Sequence, residues 1–285
     1  MKKAKSSNLA INKLSITLID LNTNTIAGYQ QETPRYPASI AKLFWLVILQ
    51  SKIYNASLPV DEDLQTDIEE MIIKSDNDAA SKIVDRLTNA PSQGKLAKDE
   101  YQKWKKKRDS LNTFFSQAGY TKININQKTF PIVYHYGKTI PEPQGSDAQI
   151  RGDNPQQPIR NQLTSFATAR LMSEIVTNQA VSTSASEVMK GLLNRDLQYW
   201  QKQPFNPEEF HPVKNFIGES LPADRVRFFS KAGWTTNSRQ EVAYVETLDG
   251  KTRYVIAIFG DDKSYAKSQD IFPQLSYLVF QRMVK

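Results

Sequence analysis

The 285-residue chain contains no cysteine, which excludes disulfides, thiolate metal sites and a cysteine nucleophile. That absence says nothing about compartment. Histidine is almost as scarce. His135 and His211 lie far apart and show neither HxxH nor HExxH spacing, so a histidine-built metal site is not expected and each reads as an ordinary polar residue. No stretch approaches the 18 or more uncharged apolar residues of a membrane span; the longest apolar run, Leu43–Leu49, has the length of a core helix. The basic start "MKKAK" is not followed by the apolar core of an export signal, because Asn12 and Lys13 interrupt it. No internal repeat and no known nucleic-acid module is apparent.

The formal charge is +7, with basic residues concentrated in "KLAKDEYQKWKKKRDS" at 95–110. Tyr101, Trp104, Leu111 and Phe115 recur there at helical spacing, so the segment reads as a solvated helix with one apolar face. An anionic-surface contact is the alternative.

"LSITLID" (14–20) alternates as a strand does, and "NTNT" turns the chain into a second strand, "IAGYQ". Residues 39–54, 64–88, 98–117 and 164–177 read as helices. Between the last two, 131–161 is rich in Pro, Gly and Gln and reads as a long irregular loop. Strands return at 225–233, 241–248 and 252–259, the last two flanking the turn dipeptide Asp249-Gly250. A helix over 273–284 closes the chain, with Pro273 in its first turn. The pattern predicts an α+β fold: one antiparallel sheet built from both chain ends (1–32 and 218–285) with the terminal helix, and a helical domain inserted over 33–217.

Within "PASIAKLFWLVIL" (37–49), Lys42 interrupts an apolar helix three residues after Ser39. Positions i and i+3 share a helix face, so the amine can reach the serine hydroxyl. Serine is a weak nucleophile until a base takes its proton, and desolvation by Ile40, Leu43, Phe44 and Trp45 would lower the lysine pKa into the range of a useful base. The helix N-terminus would favour developing negative charge. Taken alone, the pair reads equally as an N-cap serine and a snorkelling lysine.

Two further motifs follow in order: Ser75-Asp76-Asn77 in a helical context and Lys231-Ala232-Gly233 at a strand end. Together, SxxK, SDN and KAG resemble the signature of serine β-lactamases and penicillin-binding proteins, specifically the class A β-lactamase-like branch. That resemblance implies a β-lactamase/transpeptidase-like fold. It implies catalytic roles for Ser39 (acylated nucleophile), Lys42 (base) and Ser75 (proton relay). It implies an oxyanion hole from the backbone N–H groups of Ser39 and Trp234, and substrate binding by Asn77, Lys231, Gly233 and Thr235. No metal or other cofactor is implied. The expected ligand is a β-lactam or a peptidoglycan-type peptide, the expected location extracytoplasmic, the expected state monomeric, with no nucleic-acid partner.

Two departures stand out. Ala232 lacks the hydroxyl of KTG or KSG, with Thr235 and Thr236 close enough to compensate, and Trp234 is bulky where the family has a small residue. The loop glutamate of class A enzymes, in an ExxLN pattern, is also missing. Counting back from "LTSFATA" (163–169) reaches Gln149, with Asp147 and Asp153 as the nearest acids and Glu142 further off. The sequence therefore supports acylation better than deacylation. Three functions remain: an acyl-serine hydrolase of β-lactams or related amides, a D-Ala-D-Ala peptidase or transpeptidase, and a catalytically weak cell-wall-peptide binding protein.

Overall fold

The computed structural model describes residues 2–133, 139–206 and 210–285; His135 lies outside them. In chain order the elements are α1 (Lys2–Ser6), β1 (Leu14–Asp20), β2 (Thr25–Tyr29), a 3-10 turn Ala38–Ile40 and α2 (Ala41–Tyr54). Then come α3 (Glu62–Glu69), a π-helical turn Glu70–Lys74, α4 (Asn77–Thr88), α5 (Lys98–Gln117), α6 (Gly145–Gln149), α7 (Ser165–Val176), α8 (Thr183–Leu193) and α9 (Leu197–Trp200). The chain ends with β3 (Val226–Thr235), β4 (Ser238–Thr247), β5 (Arg253–Gly260), α10 (Lys263–Lys267) and α11 (Ile271–Met283).

The chain divides into two compact units, 1–40 with 164–285, and 41–163. The first holds a five-stranded antiparallel sheet in the order β2-β1-β5-β4-β3, so strands from both chain ends meet where β1 pairs with β5. On one face Val226, Phe228, Ala232, Val245, Tyr254 and Ile256 share an apolar cluster with Phe272, Leu275 and Phe280 of α11. Full burial of such side chains is worth about 1.5–3 kcal/mol each. The β4–β5 hairpin turns at Asp249-Gly250, as the dipeptide predicts, with Gly250 at φ +69° where a side chain would be strained.

The boundary differs from the 33–217 read from the sequence, because residues on both sides of 41–163 belong to the sheet unit. The α7 helix packs on β1, β4 and β5, with a buried hydrogen bond of 2.9 Å between the Thr17 and Ser165 hydroxyls. Arg195 N–H donates to the Phe228 carbonyl on β3 at 2.8 Å, and Gln240 Nε2 donates to the Tyr36 carbonyl.

In the second unit α2 is buried from Ala41 to Gln50, the mark of a central helix with no solvent face. Trp45 Nε1 donates to the Ile125 carbonyl at 2.9 Å. The α5 helix is amphipathic as expected, burying Trp104, Leu111 and Phe115. It also buries Arg108, which falls between Trp104 and Leu111 on that same face. The guanidinium stacks on the Trp104 indole as a cation–π pair, with Cζ 4.7 Å from the ring centroid, and this places the charge beside the apolar stripe.

Candidate active site

In the helical unit, the expected single helix over 64–88 is interrupted. The π-helical turn ends at Ser75, whose φ of 60° is left-handed, and Asp76 then N-caps α4 by accepting from Ala79 N–H at 2.7 Å. The break leaves the Ser75 carbonyl outside any helix ladder. It accepts from Lys42 Nζ at 2.5 Å, while Asn77 Oδ1 accepts from the same nitrogen at 2.7 Å. Asn77 Nδ2 donates in turn to the Pro131 carbonyl, and Asp78 Oδ2 accepts from Val133 N–H, so the start of α4 also anchors the following loop.

Lys42 has no solvent exposure. Burial pushes its pKa from 10.5 down to about 7, against a smaller opposing pull from the Asp76 carboxylate. A neutral amine carries two N–H donors and one lone pair, and within this unit its two acceptors match those two donors. The lone pair that remains is what a base requires.

In the sheet unit, Ser39 occupies the 3-10 turn Ala38–Ile40 rather than an α-helix, and Ala38 beside it is held at φ 48°. Gly233 explains the packing of that turn. A Cβ added there would lie 2.9 Å from Ser39 N and 3.0 Å from the Pro37 carbonyl oxygen, so only glycine lets β3 lie against the Ser39 backbone. The register orients the next residue. The two-residue turn Thr236-Asn237 pairs Thr235 with Ser238, so odd-numbered β3 residues exchange hydrogen bonds with β4 and Trp234 N–H faces the open sheet edge. The bond from Leu248 N to the Arg225 carbonyl, 2.9 Å, keeps the same parity.

Lys231 is buried, with Nζ donating to the Ala232 carbonyl at 2.8 Å and lying 5.6 Å from the Phe210 ring centroid. Ala232 packs into the apolar cluster with α11. Thr235 closes its own hairpin, its Oγ1 2.9 Å from Ser238 Oγ and accepting from Asn237 N–H. The Trp234 indole donates to the Ala266 carbonyl at 3.1 Å. Thus Lys42, Ser75 and Asn77 meet in one unit, Ser39 and Gly233 in the other, and Thr235 is engaged with its turn.

The loop residues considered in place of the missing glutamate have structural partners. Gln149 pairs through both amide ends with the backbone of Leu96, accepting at 2.8 Å and donating at 2.9 Å. Asp147 is buried, its Oδ1 3.3 Å from Arg108 Nη1, an ion pair without hydrogen-bond geometry. Arg108 also contacts Asp85 at 3.2 Å, and Lys128 Nζ holds Asp85 at 2.7 Å. Burial raises the Asp85 pKa despite both cations, and burial lowers those of Arg108 and Lys128. Sequence reading missed this cluster; its members are scattered from 85 to 147 and carry no spacing signal. Asp153 and Glu142 are exposed.

The sequence profile of the β-lactamase enzyme family matches residues 57–283. The chain belongs to the β-lactamase enzyme family. Within the β-lactamase match fall Ser75, Asn77, Lys231 and Gly233, whereas Ser39 and Lys42 precede it. Similar solved structures include a β-lactamase from Sphaerobacter thermophilus (15% identity, 95% of this chain and 91% of that one, TM-score 0.65). An ancestral class A β-lactamase reconstructed for Gram-negative bacteria gives 15% identity, 99% and 97% coverage and TM-score 0.66. A halotolerant bacterial β-lactamase gives 14%, 100% and 98%, and 0.65. At such identities these likenesses establish the β-lactamase fold. No curated protein sequence matches the chain. Family membership points to a hydrolase of class A-like type. Among the described residues no helix is long and apolar enough to cross a membrane, and no group of three or more acidic or histidine side chains is placed to hold a metal ion.

Proposed function

We propose that this β-lactamase-family protein is an acyl-serine hydrolase that attacks a β-lactam or a related amide and releases its acyl group slowly. The observation that carries the reading is Lys42: fully buried, with a pKa near 7, its two N–H groups taken by Ser75 and Asn77. Its lone pair would take the Ser39 proton as Ser39 Oγ attacks the substrate carbonyl carbon. Negative charge then forms on the carbonyl oxygen, and the N–H groups of Ser39 and Trp234 would hold it. The close packing at Gly233 and the outward register of Trp234 support that assignment. Two preorganised donors of this kind are each worth roughly 10²–10³ in rate. The Ser75 hydroxyl would relay to the leaving nitrogen the proton that Lys42 took from Ser39, donating its own and regaining that one. Asn77 and Lys231 would bind the substrate amide and carboxylate, with Gly233 and Thr235 shaping the strand beside them.

Slow release follows from the loop. A general base must reach the attacking water, and the amide of Gln149 and the carboxylate of Asp147 are each tied to another partner. The same observation favours a second reading, a D-Ala-D-Ala peptidase, which needs no loop glutamate, or a transpeptidase, in which an acceptor nucleophile other than water receives the acyl group. Either activity fits an extracytoplasmic location.

Intact-mass measurement after incubation with a penicillin and a chromogenic cephalosporin tests both. A persistent adduct is expected on the wild-type chain and none on Ser39→Ala. No adduct from either compound on the wild type refutes the acyl-serine mechanism for β-lactams.

A further inference from the structure

The sheet unit contains a cavity of about 520 Å³ beside the β3–β4 turn, within the size range of small-molecule sites. Its chemistry is one-sided. Phe210, Phe216 and Trp234 give it aromatic walls, Arg239, Lys263 and Lys267 give it positive charge, and no described acidic residue lines it. Lys231, the cation of the third motif, is not part of it.

The floor is built and rigid. Arg239 is buried, its Nε, Nη1 and Nη2 donating to the carbonyls of Tyr265, Asn215 and Ala266 at 3.2, 3.0 and 2.9 Å. Its Cζ stands 4.8 Å from the Phe216 ring centroid. Burial lowers its pKa only to about 10, so the charge persists at neutral pH. The neighbouring Glu241 does little to cancel it, because burial raises that carboxyl to about 8. His211 contributes a ring and no charge. Its Nδ1 accepts from Val213 and Lys214 N–H, which puts the proton on Nε2, and burial followed by the Lys214 charge lowers its pKa.

The rim is different. Lys263 and Lys267 stand one turn apart on α10, both exposed, and among the described residues neither forms an ion pair. Lys214 is held only loosely, 3.8 Å from Glu219. The Trp234 indole is fixed by its bond to Ala266 and presents a flat wall. Aromatic walls bind a ring, and exposed ammonium groups at the rim select a negative charge attached to it.

We propose that this cavity binds a free small aryl carboxylate, its ring against Trp234 and Phe210 and its carboxylate toward Lys263 and Lys267. The site shares Trp234 with the proposed oxyanion hole, and binding there requires no acylation at Ser39.

Calorimetric titration of the full chain with 2-naphthoate and with its neutral isostere 2-naphthamide tests this. Naphthoate should bind 1:1 and about tenfold more tightly than the amide. The Lys263→Gln/Lys267→Gln double variant changes only exposed side chains. It should erase most of that preference, as should raising salt from about 20 mM to about 500 mM. Trp234→Ala should weaken both ligands. Ser39→Ala should bind like the wild type, which keeps this result separate from the fate of the acyl-transfer reading. Equal affinity for acid and amide, an unchanged preference in the double variant, or no binding at millimolar naphthoate would overturn the proposal.

Discussion

Replacing Lys42 by Met tests the electrostatic core of the helical unit without assuming any reaction. The wild-type amine titrates near 7 in the folded chain, against 10.5 for a lysine surrounded by water, as in the unfolded chain. That gap corresponds to roughly 5 kcal/mol of preference for the neutral form on folding. The unfolded chain therefore binds more protons than the folded one between these values, and stability rises with pH across the window. The contribution is complete above 10.5 and is lost as pH falls through about 7. Between about pH 7 and about pH 9.5 the wild type should gain about 3 kcal/mol relative to Lys42→Met. Below about pH 6 the difference should be flat. Methionine leaves the Ser75 carbonyl and Asn77 Oδ1 without their donor, at about 1–3 kcal/mol each. That penalty is constant with pH, so the slope and not the offset carries the test. Urea denaturation of both proteins across the pH series measures it, and every other titrating group cancels in the difference. A difference that stays flat from about pH 6 to about pH 9.5 would falsify the buried, neutral-leaning amine, and with it the base proposed for Ser39.

Gly233→Ala should destabilise the sheet unit by about 1–3 kcal/mol, because the new Cβ meets the backbone of Ser39 and Pro37 rather than a movable side chain. Adduct formation at Ser39 should slow by roughly 10²-fold as the strand is displaced; a variant with wild-type stability and adduct rate refutes the close-packing argument. Gln149→Glu restores the residue type that the class A spacing calls for. It also turns a carboxylate oxygen toward the Leu96 carbonyl that now accepts from Nε2. The expected outcome is a stability loss of about 1–3 kcal/mol with no shortening of the adduct lifetime. Rapid turnover in this variant would show instead that position 149 can address the hydrolytic water.

Much of this fold was legible because its signals are local. The alternation of 14–20, the Asp249-Gly250 turn, the apolar run after Lys42 and the amphipathic stripe of α5 each lie within one element. What was missed depends on distant partners or on turns without their usual residues. The β3–β4 hairpin turns at Thr236-Asn237 with no glycine, so the strands at 225–233 and 241–248 read as separate. The 64–88 pattern continues through Met71 and Ile72 into Ala79 and Ala80, and nothing in it announces a left-handed serine between them. The sequence pattern does not mark α8, and it places α7 in the helical domain because the packing of α7 on β1, β4 and β5 is a tertiary fact.

The three motifs show the same division. Their spacing marks the residues that matter, but the chemistry lies in contacts that spacing does not encode. Lys42 becomes a candidate base through a carbonyl freed by the break at Ser75, 33 residues away. Gln149 is tied to Leu96, 53 residues away, and Asp147 to Arg108. One motif residue thus becomes a candidate base, and two loop residues are bound to structural partners, by the same physical rule: a buried polar group is defined by the partner that satisfies it. Under the proposed acyl-serine mechanism that rule favours forming the acyl-enzyme over clearing it, so adduct lifetime, more than adduct formation, is the quantity that separates rapid turnover of a β-lactam from slow release.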